Sequence, residues 1–311
     1  MTFSVTILGS SSALPTKNRF PTAHVLNIHE RFFLIDCGEG AQIQLRRIGR
    51  VRLARLNHIF ISHLHGDHVF GLYGLISTFN LLGRTSDLHI YAYGQLEQIL
   101  ADHLKYFGDD MRYKIVVHPV DTRKNEIIYE DHCMTVETIP LKHRIPTCGY
   151  LFKEKMPQRN IHRDTIEKYS LSLADIAQIK YGNDLILPSG EIISNDDITY
   201  IPYEPRSYAF CSDTVYNEKI IDIIKGIDLL YHEATFLDDM RDLAKQTMHT
   251  TALQAAEIAK KAEVKQLLIG HFSSRYGDTN AFLKEASSVF SNTRLAIEGR
   301  MFEISLVKDN R

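Results

Sequence analysis

The sequence predicts an α/β fold: a two-sheet core covered by helices and interrupted by one polar insert. Three observations carry this. Short apolar runs of strand length alternate with stretches of helical apolar spacing. The alternation occurs in two halves, which suits two sheets each covered by helices. Between the halves lies a polar stretch, residues 152–195, with only short helical candidates.

In the first half, residues 5–8, 23–28 and 31–35 read as three strands. Residues 42–48 read as a helix and 57–61 as the next strand. A helix over 71–82, a strand over 89–93 and a helix over 94–107 follow. Within 152–195, Asp164 to Glu167 and Ser172 to Asp175 have the form of helix N-terminal caps. Neither following segment carries enough apolar surface for a core, so the insert reads as a projecting arm. The second half resumes with strands at 209–211 and 228–231, an alanine-rich helix over 251–262, and a strand over 266–269.

Composition narrows the class. Of 311 residues, 44% are apolar and 24% charged, as in an ordinary globular domain. No run approaches the roughly 20 apolar residues that span a bilayer. The first eight residues read as a strand and lack the basic start of a signal peptide, so a cytoplasmic location is expected. Cys37, Cys133, Cys148 and Cys211 form no C-x-x-C pair; Cys37 and Cys211 sit in apolar strand-like runs and are expected as small buried thiols. A net charge of −2 leaves any nucleic-acid binding to local patches. Arg46, Arg47, Arg50, Arg52 and Arg55 form one such patch or a solvated helix face.

The chemistry concentrates in Ser62-His63-Leu64-His65-Gly66-Asp67-His68, which follows the apolar run 59–61. Imidazole and carboxylate together suit zinc-like divalent ions. On an extended segment His63 and His65 point the same way, and the turn at Gly66 offers Asp67 and His68 to a second site. Asp36, at a strand end before Gly38, is placed to hydrogen-bond a ligating histidine. The segment 9–19 is rich in small residues and carries Lys17 and Arg19 near its end, so it is a candidate lip for a phosphate-bearing substrate. It is not a Walker loop.

His63-x-His65-x-Asp67-His68 resembles the signature of the metallo-β-lactamase superfamily. Further motifs narrow the resemblance to the ribonuclease Z family, which processes transfer-RNA 3′ ends. They are Asp36-Cys37-Gly38-Glu39-Gly40, Phe70-Gly71-Leu72, His232-Glu233-Ala234-Thr235-Phe236, Met248-His249-Thr250-Thr251 and Gly270-His271-Phe272-Ser273-Ser274-Arg275-Tyr276. The similarity runs from Leu8 to about Tyr276.

The resemblance implies an αββα sandwich with metal ligands on loops at one edge. It implies one catalytic domain over 1–311, with residues 152–195 as an inserted, exosite-like arm. His63, His65 and His143 would hold one zinc, Asp67, His68 and His271 a second, and Asp213 would bridge them. Manganese or another divalent ion could replace zinc. Asp67 would orient or deprotonate the attacking water, and His249, supported by Glu233, would protonate the leaving oxygen. His232 reads as structural. Ser273 and Arg275, with Lys17 and Arg19, are candidates for binding substrate.

The implied substrate is precursor transfer RNA and the implied assembly a homodimer, with no membrane partner. A small-molecule phosphodiesterase or arylsulfatase on the same fold is the alternative. Two departures from the family stand out. Phe20 occupies the place of an asparagine after Arg19, and the arm lacks a Gly-Pro motif although Lys153, Lys155, Arg159, Arg163, Lys168 and Lys180 remain.

Overall fold

The computed structural model describes residues 1–108 and 110–307. In chain order the first half comprises β1 (Phe3–Gly9), β2 (Ala23–Ile28), β3 (Arg31–Ile35), α1 (Ala41–Ile48), β4 (Leu56–Phe60), α2 (Gly66–Leu81), β5 (Leu88–Ala92), α3 (Gln95–Phe107) and β6 (Ile115–Pro119). Then come β7 (Ile127–Glu130), β8 (Met134–Pro140) and β9 (Cys148–Glu154). The insert holds β10 (Asn160–Ile161), α4 (Arg163–Tyr169), α5 (Leu173–Lys180), β11 (Leu185–Ile186), β12 (Ile192–Ile193), α6 (Asn195–Ile198) and β13 (Thr199–Tyr200). The second half has β14 (Ser207–Cys211), β15 (Leu229–Glu233), α7 (Arg241–Thr247), α8 (Ala252–Lys261), β16 (Gln266–Gly270), α9 (Asn280–Ser287), β17 (Thr293–Leu295) and β18 (Met301–Glu303).

Two seven-stranded sheets form, in the orders β18-β1-β2-β3-β4-β5-β6 and β17-β16-β15-β14-β9-β8-β7. Each is parallel on one side, β3 to β6 and β14 to β17, and antiparallel on the other. Strand alternation explains the layering. Phe33 and Ile35 of β3 face the core between the sheets, whereas Phe32 and Leu34 face outward. In β14, Tyr208 and Phe210 point inward and Ala209 and Cys211 outward. The outward rows pack under α1, α2 and α3 on the first sheet and under α8 and α9 on the second. The expected αββα sandwich is therefore the observed one. Phe60 is fully buried against Tyr91, Tyr150 and Phe152. Its replacement by alanine is expected to cost about 3–5 kcal/mol.

Glycine sets how closely the elements meet at the loop edge. A Cβ on Gly71 of α2 would fall 2.1 Å from the Gly38 carbonyl oxygen. That contact seats the start of α2, with Asp67 and His68, directly against the end of β3. Cys37 and Cys211 are buried free thiols, as expected; Cys148 is also buried, and Cys133 is half-buried.

The insert departs from the sequence reading in two ways. Its limits are wider and shifted. Residues 148–154 belong to β9, where Phe152 is fully buried between the sheets, so the segment outside the main sheets is 155–206. It also has a small core: Ile161, Ile179, Leu185 and Ile198 are buried together, flanked by Ile166, Tyr169 and Ile176. These residues come one or two per short element, so no periodic face announces them. Ser172 does cap α5, in a capping box with Asp175, but α4 begins after His162, with Asp164 inside its first turn.

The root of the insert is pinned by a buried ion pair. Arg206 Nη2 donates to Glu154 Oε1 at 2.7 Å and Nε to Oε2 at 2.9 Å, with His29 Nε2 2.6 Å from Oε1. Because β9 ends and β14 begins there, the insert leaves the sandwich at the end opposite the loops that carry His143 and Asp213. A seven-residue strand, about 20 Å, separates the two ends.

Candidate active site

The candidate residues converge where the parallel strands of both sheets end, the usual place for a site in an open α/β sheet. His63 and His65 follow β4, and Asp67 and His68 open α2. His143 lies in the β8–β9 loop, Asp213 just after β14, Glu233 at the end of β15 and His271 just after β16. His249 sits in the turn between α7 and α8.

Two groups of donor atoms form, each with all members within 4.8 Å of one another. One comprises His63, His65, His143 and Asp213; the other comprises Asp67, His68, Asp213 and His271. In the first, His65 Nδ1 lies 3.0 Å from His63 Nε2 and 3.3 Å from His143 Nε2. Asp213 Oδ2 is 3.5 Å from His63 Nε2 and 3.7 Å from His143 Nε2. In the second, Asp213 Oδ1 is 3.3 Å from His68 Nε2 and 3.1 Å from His271 Nε2. Asp67 Oδ2 approaches the same two nitrogens at 3.3 and 3.4 Å. The two oxygens of Asp213 thus face different groups.

This donor set fits divalent metal. His68 Nε2 is buried without a hydrogen-bond partner among the described residues. Burial holds His63, His65 and His143 below the ordinary imidazole pKa, which keeps their lone pairs free. Burial alone would raise Asp67 and Asp213, but the surrounding imidazoles outweigh it and both fall well below the carboxylate range. Burial would lower His68 too, but Asp67, Asp213 and Asp36 hold it well above the ordinary imidazole value, so there a proton occupies the place a metal would take.

The far sides of the His63, His68, His143 and His271 rings are fixed. His68 Nδ1 lies 2.7 Å from Asp36 Oδ2, which also accepts from the Ser62 hydroxyl at 2.8 Å. Ser62 Oγ in turn lies 3.0 Å from His63 Nδ1. His143 Nδ1 donates to the Met248 carbonyl at 2.9 Å, and His271 Nδ1 lies 2.8 Å from Thr235 Oγ1. Partners of this kind set which nitrogen is left for a metal. Asp36, Met248 and His271 all have left-handed backbone, with φ of 55°, 63° and 62°. Each such residue costs on the order of 1 kcal/mol, held by the packing around it.

Beside the two groups lies a carboxylate–imidazole pair. Glu233 is fully buried, and its Oε1 is 2.9 Å from His249 Nδ1. It also accepts from the amides of Thr214, Thr235 and Thr250 and from the Thr235 hydroxyl. Burial opposes charge on both partners. Their mutual attraction wins, lowering Glu233 and raising His249 to about 9. His249 therefore carries a proton at neutral pH. His232, next in sequence, is buried with its Nδ1 on the Glu233 carbonyl, 2.7 Å away, and stays out of the cleft.

His249 and the outer members of both groups, His65, His143, Asp67, Asp213 and His271, line one cleft of about 610 Å³, with Phe70 and Phe236 among its walls, while Glu233, His63 and His68 are buried behind them. Of the residues expected to meet substrate, Ser273 lines it. Lys17 and Arg275 are exposed and lie outside its lining. Arg19 is engaged elsewhere: its Nη2 donates to the carbonyls of Ser273 and Tyr276 at 3.3 and 2.9 Å, bracing that loop. Phe20 lies against Gly40, where a Cβ would fall 2.4 Å from its ring. The arginines from Arg46 to Arg55 are exposed on α1 and the turn after it, away from the cleft.

Sequence reasoning gave no role to Thr235, Met248 or Glu298. Thr235 was visible inside the His-Glu-Ala-Thr motif. Met248 acts through a backbone carbonyl, which leaves no residue-type signal. Glu298 accepts from the Phe20 amide at 2.7 Å and the Ser10 amide at 3.3 Å, ordering the segment 10–20 from far along the chain.

Comparison with known proteins adds kinship. The chain is 54% identical to ribonuclease Z of Phocaeicola vulgatus over 306 residues, 98% of this chain and 99% of that protein. It is 53% identical to ribonuclease Z of Bacteroides fragilis over 296 residues, 95% and 97% of the two chains. Among solved structures, human tRNase Z, short form, superposes with a TM-score of 0.70 at 24% identity, covering 97% of this chain and 99% of that one. The model of the family described as anti-Pycsar protein Apyc1 matches residues 3–156. That segment holds the His63–His68 motif but ends before Asp213, Glu233, His249 and His271.

Proposed function

Because the chain belongs to the ribonuclease Z family, we propose that it removes the 3′ trailer from precursor transfer RNA, leaving a 3′-hydroxyl on the transfer RNA and a 5′-phosphate on the trailer. The coarser activity, a metal-dependent endoribonuclease acting on phosphodiesters, comes with the family. His63, His65 and His143 would hold one zinc ion, Asp67, His68 and His271 another, with Asp213 between them. Manganese or another divalent ion could serve in their place. Bound there, the ions supply electrophilic pull on the phosphoryl oxygens and ease deprotonation of the attacking water.

The chain's own groups do the rest. Asp67 keeps its charge at any working pH and orients the attacking water. His249 gives its proton to the departing ribose 3′-oxygen, an expensive leaving group, while Glu233 fixes the ring and keeps it charged. The observation that carries the reading is the 2.9 Å Glu233–His249 contact at the rim of the paired donor groups. A small-molecule phosphodiesterase with a good leaving group has little need of it.

The reading extends to a homodimer in the cytoplasm. The insert leaves the sandwich about 20 Å from its own site, so it suits a distant part of a long substrate or the site of a second subunit. No helix among the described residues is long and apolar enough to cross a membrane. The test is cleavage of a precursor transfer RNA beside bis(p-nitrophenyl) phosphate, with both RNA ends mapped. A single cut after the discriminator nucleotide with the stated ends supports the proposal. Turnover of the aryl ester alone contradicts it.

A further inference from the structure

Beside the catalytic cleft lies a second cavity, of about 910 Å³. It is walled by the loop after β6, the β8–β9 loop and the segment after β14. The two share His143 and Arg144, so they adjoin along the wall that carries a candidate metal ligand.

Its lining is basic in a chain whose net charge is −2. Arg123, Lys142, Arg144 and Lys219 contribute four cations. The lining has one carboxylate, Glu218, and it is taken by Lys261 and by the Tyr216 hydroxyl. Among the described residues, the Arg123 side chain has only a 3.5 Å contact with Asp121 and is 90% exposed, and Arg144 reaches one backbone carbonyl, that of Gln246. Folding alone gives no reason to gather these charges beside a phosphodiester cleft. Phosphate does.

Resting on the reading of the chain as a transfer-RNA 3′ endonuclease, we propose that this cavity binds the single-stranded trailer through its phosphates. The substrate's own shape assigns the strand. On the transfer-RNA side, one unpaired nucleotide separates the scissile bond from a duplex stem too wide for a loop-walled cavity. The trailer is single-stranded from its first nucleotide. Arg144 meets it next to the cleft, and Arg123 and Lys219 meet it farther out. Contact with phosphates alone also tolerates any trailer sequence.

The test uses Arg123→Glu/Lys219→Glu, two positions outside the catalytic cleft. Hydrolysis of bis(p-nitrophenyl) phosphate at the parental rate establishes that the fold and site are intact. Precursors with trailers of one and ten nucleotides are then compared, and a 5′-phosphorylated single-stranded decamer is titrated by fluorescence anisotropy. The expected result is a KM about tenfold higher for the long trailer, with kcat and the short-trailer substrate unchanged. Decamer affinity falls similarly, and its salt slope becomes shallower by about 1.4, the loss of two phosphate contacts. Equal losses on short and long trailers overturn the assignment by placing the transfer-RNA side in the cavity. Unchanged KM and decamer affinity overturn it outright. Loss of decamer binding in the variant, with no cleavage of precursor by the parent, leaves the cavity assignment standing and removes the transfer-RNA function instead.

Discussion

The two ends of the sandwich are built on opposite plans. At the loop edge, charged and polar groups are buried and over-determined: Asp36 alone fixes Ser62 and His68, and three non-glycine residues sit in left-handed backbone. At the far end, the 155–206 segment rests on a small core centred on four buried apolar side chains and leaves Leu173, Tyr181, Ile186 and Ile192 exposed. Three of its cations have carboxylate partners: Lys155 pairs with Glu130, Arg159 with Asp196 and Arg163 with Glu167, while Lys168 lies over Tyr169. The difference teaches where precision is needed. Chemistry at one end requires fixed atoms and stores strain to hold them, whereas reach at the other requires only a stable projection.

The largest effect should come from the loop edge. His249→Ala is expected to slow cleavage of precursor transfer RNA by roughly 10²–10⁴-fold. It should spare bis(p-nitrophenyl) phosphate, whose leaving group needs no proton. Equal losses on both substrates would remove His249 from the acid role and leave the edge with metal chemistry alone.

The far end should respond more gently. Replacing residues 157–203 with a short Gly/Ser linker keeps the Glu154–Arg206 clamp and the whole of β9. The trimmed protein should stay folded and turn over the aryl ester at the parental rate, while KM for precursor transfer RNA rises. Since Arg159 and Arg163 already pair with Asp196 and Glu167, the salt slope of binding should change little. A marked flattening of that slope would show that the arm works through phosphates after all.

Much of this contrast was legible in the sequence, but unevenly. His63, His65, Asp67 and His68 announce themselves because four ligand residues crowd six positions. Asp213 and His271 follow strand-length apolar runs, and the family resemblance supplied their pairing. The arm was read too early, at residue 152, because the polar side chains of Lys153 and Glu154 mask a strand whose Phe152 is fully buried. Its small core was invisible because Ile161, Ile179, Leu185 and Ile198 belong to four separate elements. Arg19 looked like a substrate contact since sequence cannot show that the carbonyls of Ser273 and Tyr276 already occupy it.

The smallest effect expected lies at the joint between the two ends. Burial opposes charge on Glu154, but hydrogen bonds from Arg206 and His29 prevail and depress its pKa. A depressed carboxyl stabilises the fold above its unfolded pKa, about 4.3, and that contribution is lost as pH falls through the lower folded value. The parent should therefore lose thermal stability as pH drops below about 4.3, and Glu154→Gln should flatten that part of the curve. Identical pH profiles for parent and variant would show that the clamp contributes nothing to the joint.

The central claim is that the loop edge holds two metal ions shared through Asp213. Metal-free protein titrated with zinc, with bound metal and aryl-ester turnover measured on the same samples, tests it most directly. The account predicts that activity is complete only near two equivalents per chain, and that Asp213→Ala lowers the affinity of both sites together. Full activity at one equivalent, or an Asp213→Ala protein that still binds two with parental affinity, would contradict it.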